Sequence, residues 1–558
     1  MPESNIFDAI VVGSGISGGW AAKELCEKGL KTLVLERGRN VEHIKDYPTA
    51  NMNPWDFKHP NMLSKEMKEN QHIQIRGFSN EANSHFFVND KEHPYNQVKP
   101  FDWIRGYHVG GRSLMWGRQC YRWSDLDFEA NAKEGIGVDW PIRYRDIAPW
   151  YSYVEKFAGI SGSKEGLSHL PDGEFLPPME MNCLEKHISG ELKNKMSDRK
   201  MIIGRVANLT RGFTDRGPCQ YRNMCDRGCP FGGYFSSNSA TLPAARATGN
   251  LTLRPDSIVM EVIYDKDKKK ATGVRILDAK TNKTESFFAK VIFLNASTIG
   301  STFILLNSIS DAFPNGMGNA SDQLGRNLMD HHYRIGGSAT YDGFKDKYTY
   351  GRRANGIYIP RFRNINEATK RSDYLRGFGF QGEASRNTPD TVNVIGAELK
   401  DQLSEPGDWR MWIGAWGEHL PYEDNRVTLN REKKDPFGLP MVDIDCEFKE
   451  NEKNMRKDMK QSTAEILEAA GLKNINTYDD TNSYPGLCIH EMGTARMGHD
   501  PKTSVLNKWN QVHEVKNVFV TDGACMTSSA NQNPSITYMA LTARAVDYAV
   551  REMKKGNL

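Results

Sequence analysis

Three thiols stand close together in this chain. Cys219, Cys225 and Cys229 follow a C-x5-C-x3-C spacing inside Gly217–Gly233, and Pro230 comes directly after the last of them. The other cysteines (Cys26, Cys120, Cys183, Cys446, Cys488 and Cys525) are scattered without the pattern of a disulfide framework, and they are expected to be mostly buried thiols. So tight a group implies a shared ligand. A Cys-Pro step closing a thiolate run is a form that iron–sulfur ligand runs take, and such a centre carries single electrons. Zinc and a disulfide are the competing readings. Zinc asks for four ligands, and neither a histidine nor a fourth cysteine is near in sequence.

A source of electrons is written at the other end of the chain. The β-prone run Phe7–Val12 leads into Gly13-Ser14-Gly15-Ile16-Ser17-Gly18. A helical pattern through Ala21, Ala22 and Leu25 follows and stops at Gly29, and a second strand, Thr32–Leu35, ends at Glu36. In a strand–turn–helix–strand unit the first glycine makes the tight turn, the second admits a pyrophosphate and the third lets helix pack on strand. Helix N–H groups face the phosphates, and Glu36 is placed to accept from ribose hydroxyls. FAD and NAD share this fingerprint. Three distant segments favour FAD: the strand Lys516–Val520 running into Thr521-Asp522-Gly523-Ala524, the strand Val291–Leu294 running into Asn295-Ala296-Ser297, and the loop Gly110-Gly111-Arg112-Ser113 before Trp116. Arg37, behind Glu36, and Val259 are also expected against the cofactor.

Between fingerprint and C-terminus the chain must position a substrate, and His490 and Asn533 are the groups that could act on one. His490 lies in Ile489-His490-Glu491-Met492-Gly493-Thr494. Oxidising an alcohol requires loss of the hydroxyl proton as hydride leaves carbon, and imidazole titrates in the useful range. Asn533-Pro534-Ser535 opens a periodic helix with Ile536, Met539, Ala540, Ala543, Val546 and Val550 on one face. Asn before a proline at the first helical position is a helix-start signature, so Asn533 is expected to cap that helix. It is also placed to hydrogen-bond a substrate oxygen, with the helix N-terminus favouring negative charge on a flavin ring.

Composition excludes more than it selects. A net charge of +3 over 558 residues gives no electrostatic footprint for nucleic acid. Apolar content of 38% and charged content of 26% are those of an ordinary globular chain large enough for two to four domains. No apolar run has the length of a membrane span, and the start MPESNIFDAIVVG has neither a basic n-region nor a cleavage site, so no signal peptide is expected there. No H-E-x-x-H element supports a zinc hydrolase.

With these residues in view, the chain resembles the glucose–methanol–choline (GMC) flavoprotein oxidoreductases. The likeness rests on the fingerprint, Gly106–Arg122, Asn295–Ser308, Gly325–His331, His490–Met497 and Asn533–Tyr548. It implies an α/β Rossmann-like FAD-binding domain with a discontinuous α+β substrate domain built on an antiparallel sheet. The expected divisions are 1–50, 100–125, 200–332 and 485–558 for the first, and 51–99, 126–199 and 333–484 for the second. Gly13, Gly15, Gly18, Glu36, Arg37, Gly110, Gly111, Ser113, Val259, Ala296, Asp522, Gly523, Asn533 and Pro534 are the expected FAD contacts. The resemblance makes His490 the base and Asn533 its partner. Met115 stands where some relatives attach FAD through a histidine, so non-covalent FAD is expected.

Within the family the three cysteines look like those of bacterial FAD-dependent sugar dehydrogenases, which implies a [3Fe–4S] cluster on Cys219, Cys225 and Cys229. The expected reaction is oxidation of a secondary hydroxyl of a sugar or glycoside, with C3 of glucosides favoured, and electrons leaving through the cluster to a cytochrome c. Gluconate, glucose or fructose oxidation with other regiochemistry and an oxygen-using oxidase are the alternatives; an electron-relay subunit without substrate chemistry is a third. Relatives of this kind travel with a small export subunit, which implies a periplasmic location by co-export, against a cytoplasmic one. Trp409, Trp412 and Trp416 with Tyr348, Tyr350 and Tyr358 are candidate sugar-stacking rings, and Gln381, Glu383, Glu418 and His419 candidate hydroxyl contacts. His331 and His332 are read as packing residues near FAD.

Overall fold

A computed structural model describes every residue except 1–4, 60–62, 214, 350, 352, 387–393 and 405; Tyr350 is therefore outside the described residues. The amino-terminal unit folds as strand β1 (Ile6–Val12), helix α1 (Ile16–Glu27) and strand β2 (Thr32–Leu35). Apolar and β-branched side chains on both faces of β1 suit a strand covered on both sides, and Ile10 and Val11 are fully buried. β1 lies between β2 and β3 (Thr284–Leu294), and β3 is followed by helix α2 (Thr298–Asn307). The short strand β4 (Val518–Val520) pairs with the far side of β3, and helix α3 (Ser535–Lys554) packs on α1. Strand Leu251–Arg254 extends the sheet beyond β2, and the antiparallel strands Lys270–Asp278 and Ser257–Asp265 complete seven.

Register decides where the site lies. Val12 is opposite both Leu35 and Leu294, and Leu294 is opposite Val520, all in parallel pairs. Four strands therefore end at one level, and the residues that follow them (Gly13, Glu36, Asn295 and Thr521) share one edge. Ligands of open parallel sheets bind outside such carboxyl ends.

A second, six-stranded sheet has the order Lys473–Asp479, His332–Tyr341, Trp409–Gly417, Phe378–Arg386, Ile357–Ile359, Ile202–Ile203, antiparallel throughout. The two-residue alternation of a strand sorts its faces. Met411, Ile413 and Ala415 are fully buried beneath helix Glu450–Ala469, and Trp412 and Trp416 face the opposite way. Among the described residues no helix is long and apolar enough to cross a membrane.

Candidate active site

A cavity of about 800 Å3 runs from the carboxyl edge of the parallel sheet to the free face of the antiparallel one. At the first end each fingerprint glycine has a separate steric reason. Gly13 has φ +95°, and a Cβ there would meet the Asn295 carbonyl oxygen at 2.3 Å. A Cβ on Gly18 would stand 1.9 Å from the Gly13 carbonyl oxygen, so α1 packs directly on the turn. A Cβ on Gly15 would meet nothing within 4 Å: this glycine faces open cavity. Gly15 also caps α1 without a side-chain bond, which leaves first-turn N–H groups for an anion.

Glu36 is buried and accepts from Ser14 N (3.1 Å), Ser14 Oγ (2.5 Å) and Gly38 N (2.9 Å), and burial pushes its carboxyl upward. Ser14 Oγ in turn accepts from Gly110 N (2.9 Å), tying the glycine pair of the second loop to the fingerprint. Arg37 lies over the Tyr107 ring at 4.7 Å and lines the cavity. Asp522, raised to about 6 by burial, accepts from Ser301 Oγ (2.6 Å) and Ala524 N (3.0 Å). Gly111, Ser113, Val259, Ala296 and Gly523 also line the cavity, while Gly18, Gly110 and Pro534 pack behind it. The open cradle at Gly15, the unbonded helix end and the buried acceptors fit a dinucleotide flavin.

His490 sits farther along the same cavity, 3.4 Å from Asn533 through its Nε2. Asn533 does not cap α3: Pro534 takes the cap position and no side-chain cap bond forms. The Asn533 amide is held instead by Gln381, whose Nε2 donates to Oδ1 (2.9 Å), turning Nδ2 toward His490. The partner of His490 on its other side is His331, Nδ1 to Nδ1 at 2.7 Å, and Cys488 Sγ is 3.4 Å from the same His490 nitrogen. Burial pulls His331 down to about 4, so it is neutral near pH 7. Its Nε2 contacts the Ala530 carbonyl oxygen, which can only accept, so Nε2 carries the proton. His331 Nδ1 therefore accepts, and His490 Nδ1 donates. That leaves the lone pair of His490 on Nε2, facing Asn533 and the cavity. Burial, with His331 and Arg112 beside it, also drives His490 well below the usual imidazole range.

The residue before His331 holds the backbone of the same loop. Asp330, raised to about 7 chiefly by burial, accepts from Gly486 N (2.8 Å), Cys488 N (3.1 Å) and His490 N (2.9 Å). Ile489, between two of those amides, has φ +65°, a costly conformation for a β-branched residue. His331 is thus a partner of the candidate base and not the packing residue that the sequence leads one to expect, and Asp330 is a second contributor. Their signal was the run Asp330-His331-His332 itself, which has no reason to be so polar inside a core. His332 is fully buried and takes no part.

Cys219, Cys225 and Cys229 line one small cavity of about 30 Å3. Cys219 Sγ accepts from Tyr221 N (3.5 Å) and Cys229 Sγ from Gly233 N (3.3 Å), and Cys225 also borders the large cavity. Among the described residues, the grouping with all ligand atoms within 4.8 Å is His331, Cys488 and His490, not these three. The loop therefore shows no clear cluster site. Of the candidate stacking rings, Trp409 and Tyr358 are buried in the core and Tyr348 lies exposed on the surface, whereas Trp412 and Trp416 line the cavity. Glu418 is buried against Arg361 (2.9 Å), and His419 is buried, so neither reaches substrate.

Models of the GMC oxidoreductase family match residues 7–333 and 421–542. The chain belongs to the GMC oxidoreductase family, whose members are FAD-binding flavoproteins. It is 29% identical to the 2-methyl-1,2-propanediol dehydrogenase of Mycolicibacterium austroafricanum, over 98% of this chain and 95% of that protein. It is 25% identical to the fructose dehydrogenase large subunit of Gluconobacter japonicus, over 98% of each. The crystal structure of pyridoxine 4-oxidase from Mesorbium loti superposes with TM-score 0.60 at 15% identity, covering 98% of this chain and 99% of that one, a likeness of fold. The chain is thus an oxidoreductase of the family that acts on CH–OH donors.

Proposed function

We propose that this protein is an FAD-dependent dehydrogenase that oxidises a secondary hydroxyl of a sugar or glycoside, C3 of a glucoside in the favoured form, to a ketone. The observation that carries the reading is the His490–Asn533 pair with the His490 lone pair directed into the cavity. A substrate hydroxyl between them donates to His490 Nε2 and accepts from Asn533 Nδ2–H. Bound FAD supplies the two-electron acceptor for the hydride leaving carbon. As His490 gains the proton it keeps Nδ1–H bonded to His331, which steadies the imidazolium by an uncharged acceptor. Gln381 keeps the Asn533 donor aimed at the same oxygen.

The outlet is proposed to be a [3Fe–4S] cluster on Cys219, Cys225 and Cys229, which would carry single electrons to a cytochrome c. Three soft ligands facing one cavity, backbone N–H bonds to two sulfurs and the position of Cys225 beside the cofactor cavity support it. A relative named as a large subunit supports partner subunits, and co-export with a small one into the periplasm belongs to the same reading.

Anaerobic titration of flavin-loaded protein with glucose, gluconate, fructose and alkyl glucosides tests the reaction. Flavin bleaching by a sugar, with a keto-sugar identified as product, is expected. No bleaching by any of them, or unimpaired bleaching in His490→Ala, would overturn it. Peroxide release outpacing dye reduction would replace the dehydrogenase with an oxidase.

A further inference from the structure

Trp412, Gly414 and Trp416 alternate along the cavity face of strand Trp409–Gly417. A Cβ on Gly414 would stand 2.9 Å from Trp412 Cζ2 and 3.3 Å from Trp416 Cζ3, so the two indoles close over the glycine into one apolar surface. Four residues of strand give this surface a length of about 13 Å. Its inner end is at the chemistry: Trp416 stacks on Tyr333 (5.8 Å, 19°), and both pack with Cys488, two residues before His490. Its outer end is at the mouth. Trp412 is 38% exposed, and its Nε1 donates to the Tyr478 hydroxyl (2.9 Å), which holds the ring plane. The neighbouring strand sets polar side chains along the same length, with Gln381 opposite Gly414 and Glu383 opposite Trp412. Gln381 reaches Asn533, so the polar edge also starts at the reacting hydroxyl.

We propose that this platform is a two-ring subsite. The ring being oxidised lies against Trp416 beside His490 and Asn533, and a second ring joined to it lies on Trp412 at the mouth. The shared chemistry is a flat C–H or π face, carried by a second sugar or by an aryl aglycone. The substrate class is therefore glycosides and disaccharides rather than free monosaccharides. This rests on the sugar reading above and adds ring number to it. A monosaccharide covers only the inner end and forgoes the outer indole.

The test is steady-state kinetics of the flavin-loaded protein with a dye acceptor, comparing methyl β-glucoside, phenyl β-glucoside and cellobiose. In the native protein kcat/KM for the two-ring substrates should exceed that for the methyl glucoside by about tenfold, the upper range of a ring-stacking contact. Trp412→Ala should bring that ratio near one, mainly through KM, and Trp412→Phe should restore most of it. Gly414→Ala, which pushes the indoles apart, should lower the ratio as well. Preference for cellobiose alone assigns the outer ring to a sugar, and preference for the phenyl glucoside alone assigns it to an aryl group. A ratio of one in the native protein, or an unchanged ratio in Trp412→Ala, overturns the subsite while the sugar reading stands. If none of the three bleaches the flavin, the subsite falls, and the sugar reading falls with it only if glucose, gluconate and fructose fail too.

Discussion

His331→Leu removes the nitrogen that accepts from His490 Nδ1–H, on the side of the half-buried His490 ring that packs against the buried His331. Only Cys488 Sγ, a weak acceptor, then remains at 3.4 Å from His490 Nδ1, and a donor left so poorly partnered costs about 1–3 kcal/mol. The ring can escape that cost by moving its proton to Nε2, the nitrogen that must be bare to take the hydroxyl proton. Either way the competent form is disfavoured by that amount, and at about 1.4 kcal/mol per decade the rate of flavin reduction should fall by about 5- to 150-fold. Stopped-flow reduction of the bound flavin by saturating substrate reads this step directly. His331→Gln is the matched control, because its amide oxygen can accept from His490 while its NH2 donates to the Ala530 carbonyl. It should keep most of the rate. If the leucine variant stays within about twofold of the native rate, or if the glutamine variant is as slow as leucine at full FAD content and unchanged melting temperature, the tautomer assignment is wrong.

Gly15→Ala should fold normally, since its Cβ would meet nothing, yet bind FAD more weakly because that open space is the phosphate cradle; the ratio of flavin to protein absorbance after gel filtration checks it. Gly18→Ala, by contrast, should fail to fold or melt many degrees lower in calorimetry, its Cβ falling 1.9 Å from a backbone oxygen. With His490 held below the ordinary imidazole range, the reduction rate should stay level as pH falls from 8 through 6.5 and decline only on further acidification, when Nε2 is protonated; an acid limb centred at 6.5 or above would contradict it. Cys225→Ser should lose iron and acid-labile sulfide while keeping flavin bleaching by substrate but slowing transfer to a cytochrome; native protein without iron would remove the cluster.

The fingerprint at Gly13–Gly18, the strand–helix–strand around it and the apolar face of α3 were legible along the chain because each depends on contacts a few residues apart. Glycine spacing and a 3.6-residue period survive in one dimension. His490 and Asn533 could be picked out by residue type, but their neighbours could not. Asn533 looked like a cap because Asn-Pro-Ser is a start signal. The structure gives the cap to Pro534 and the amide to Gln381, a residue 152 positions away. His331 looked like packing, and it lies 159 positions from the imidazole whose proton it places. The aromatic residues of the second sheet read alike until alternation and pairing sent Trp409 into the core and Trp412 and Trp416 to the cavity.

Local signals specified the elements and the kinds of chemistry they can support. Strand register brought Gly13, Glu36, Asn295 and Thr521 to one edge, and long-range hydrogen bonds chose the nitrogen of His490 that stays bare. Hydrogen-bond direction is a property of partners meeting in space, and no spacing along the chain records it.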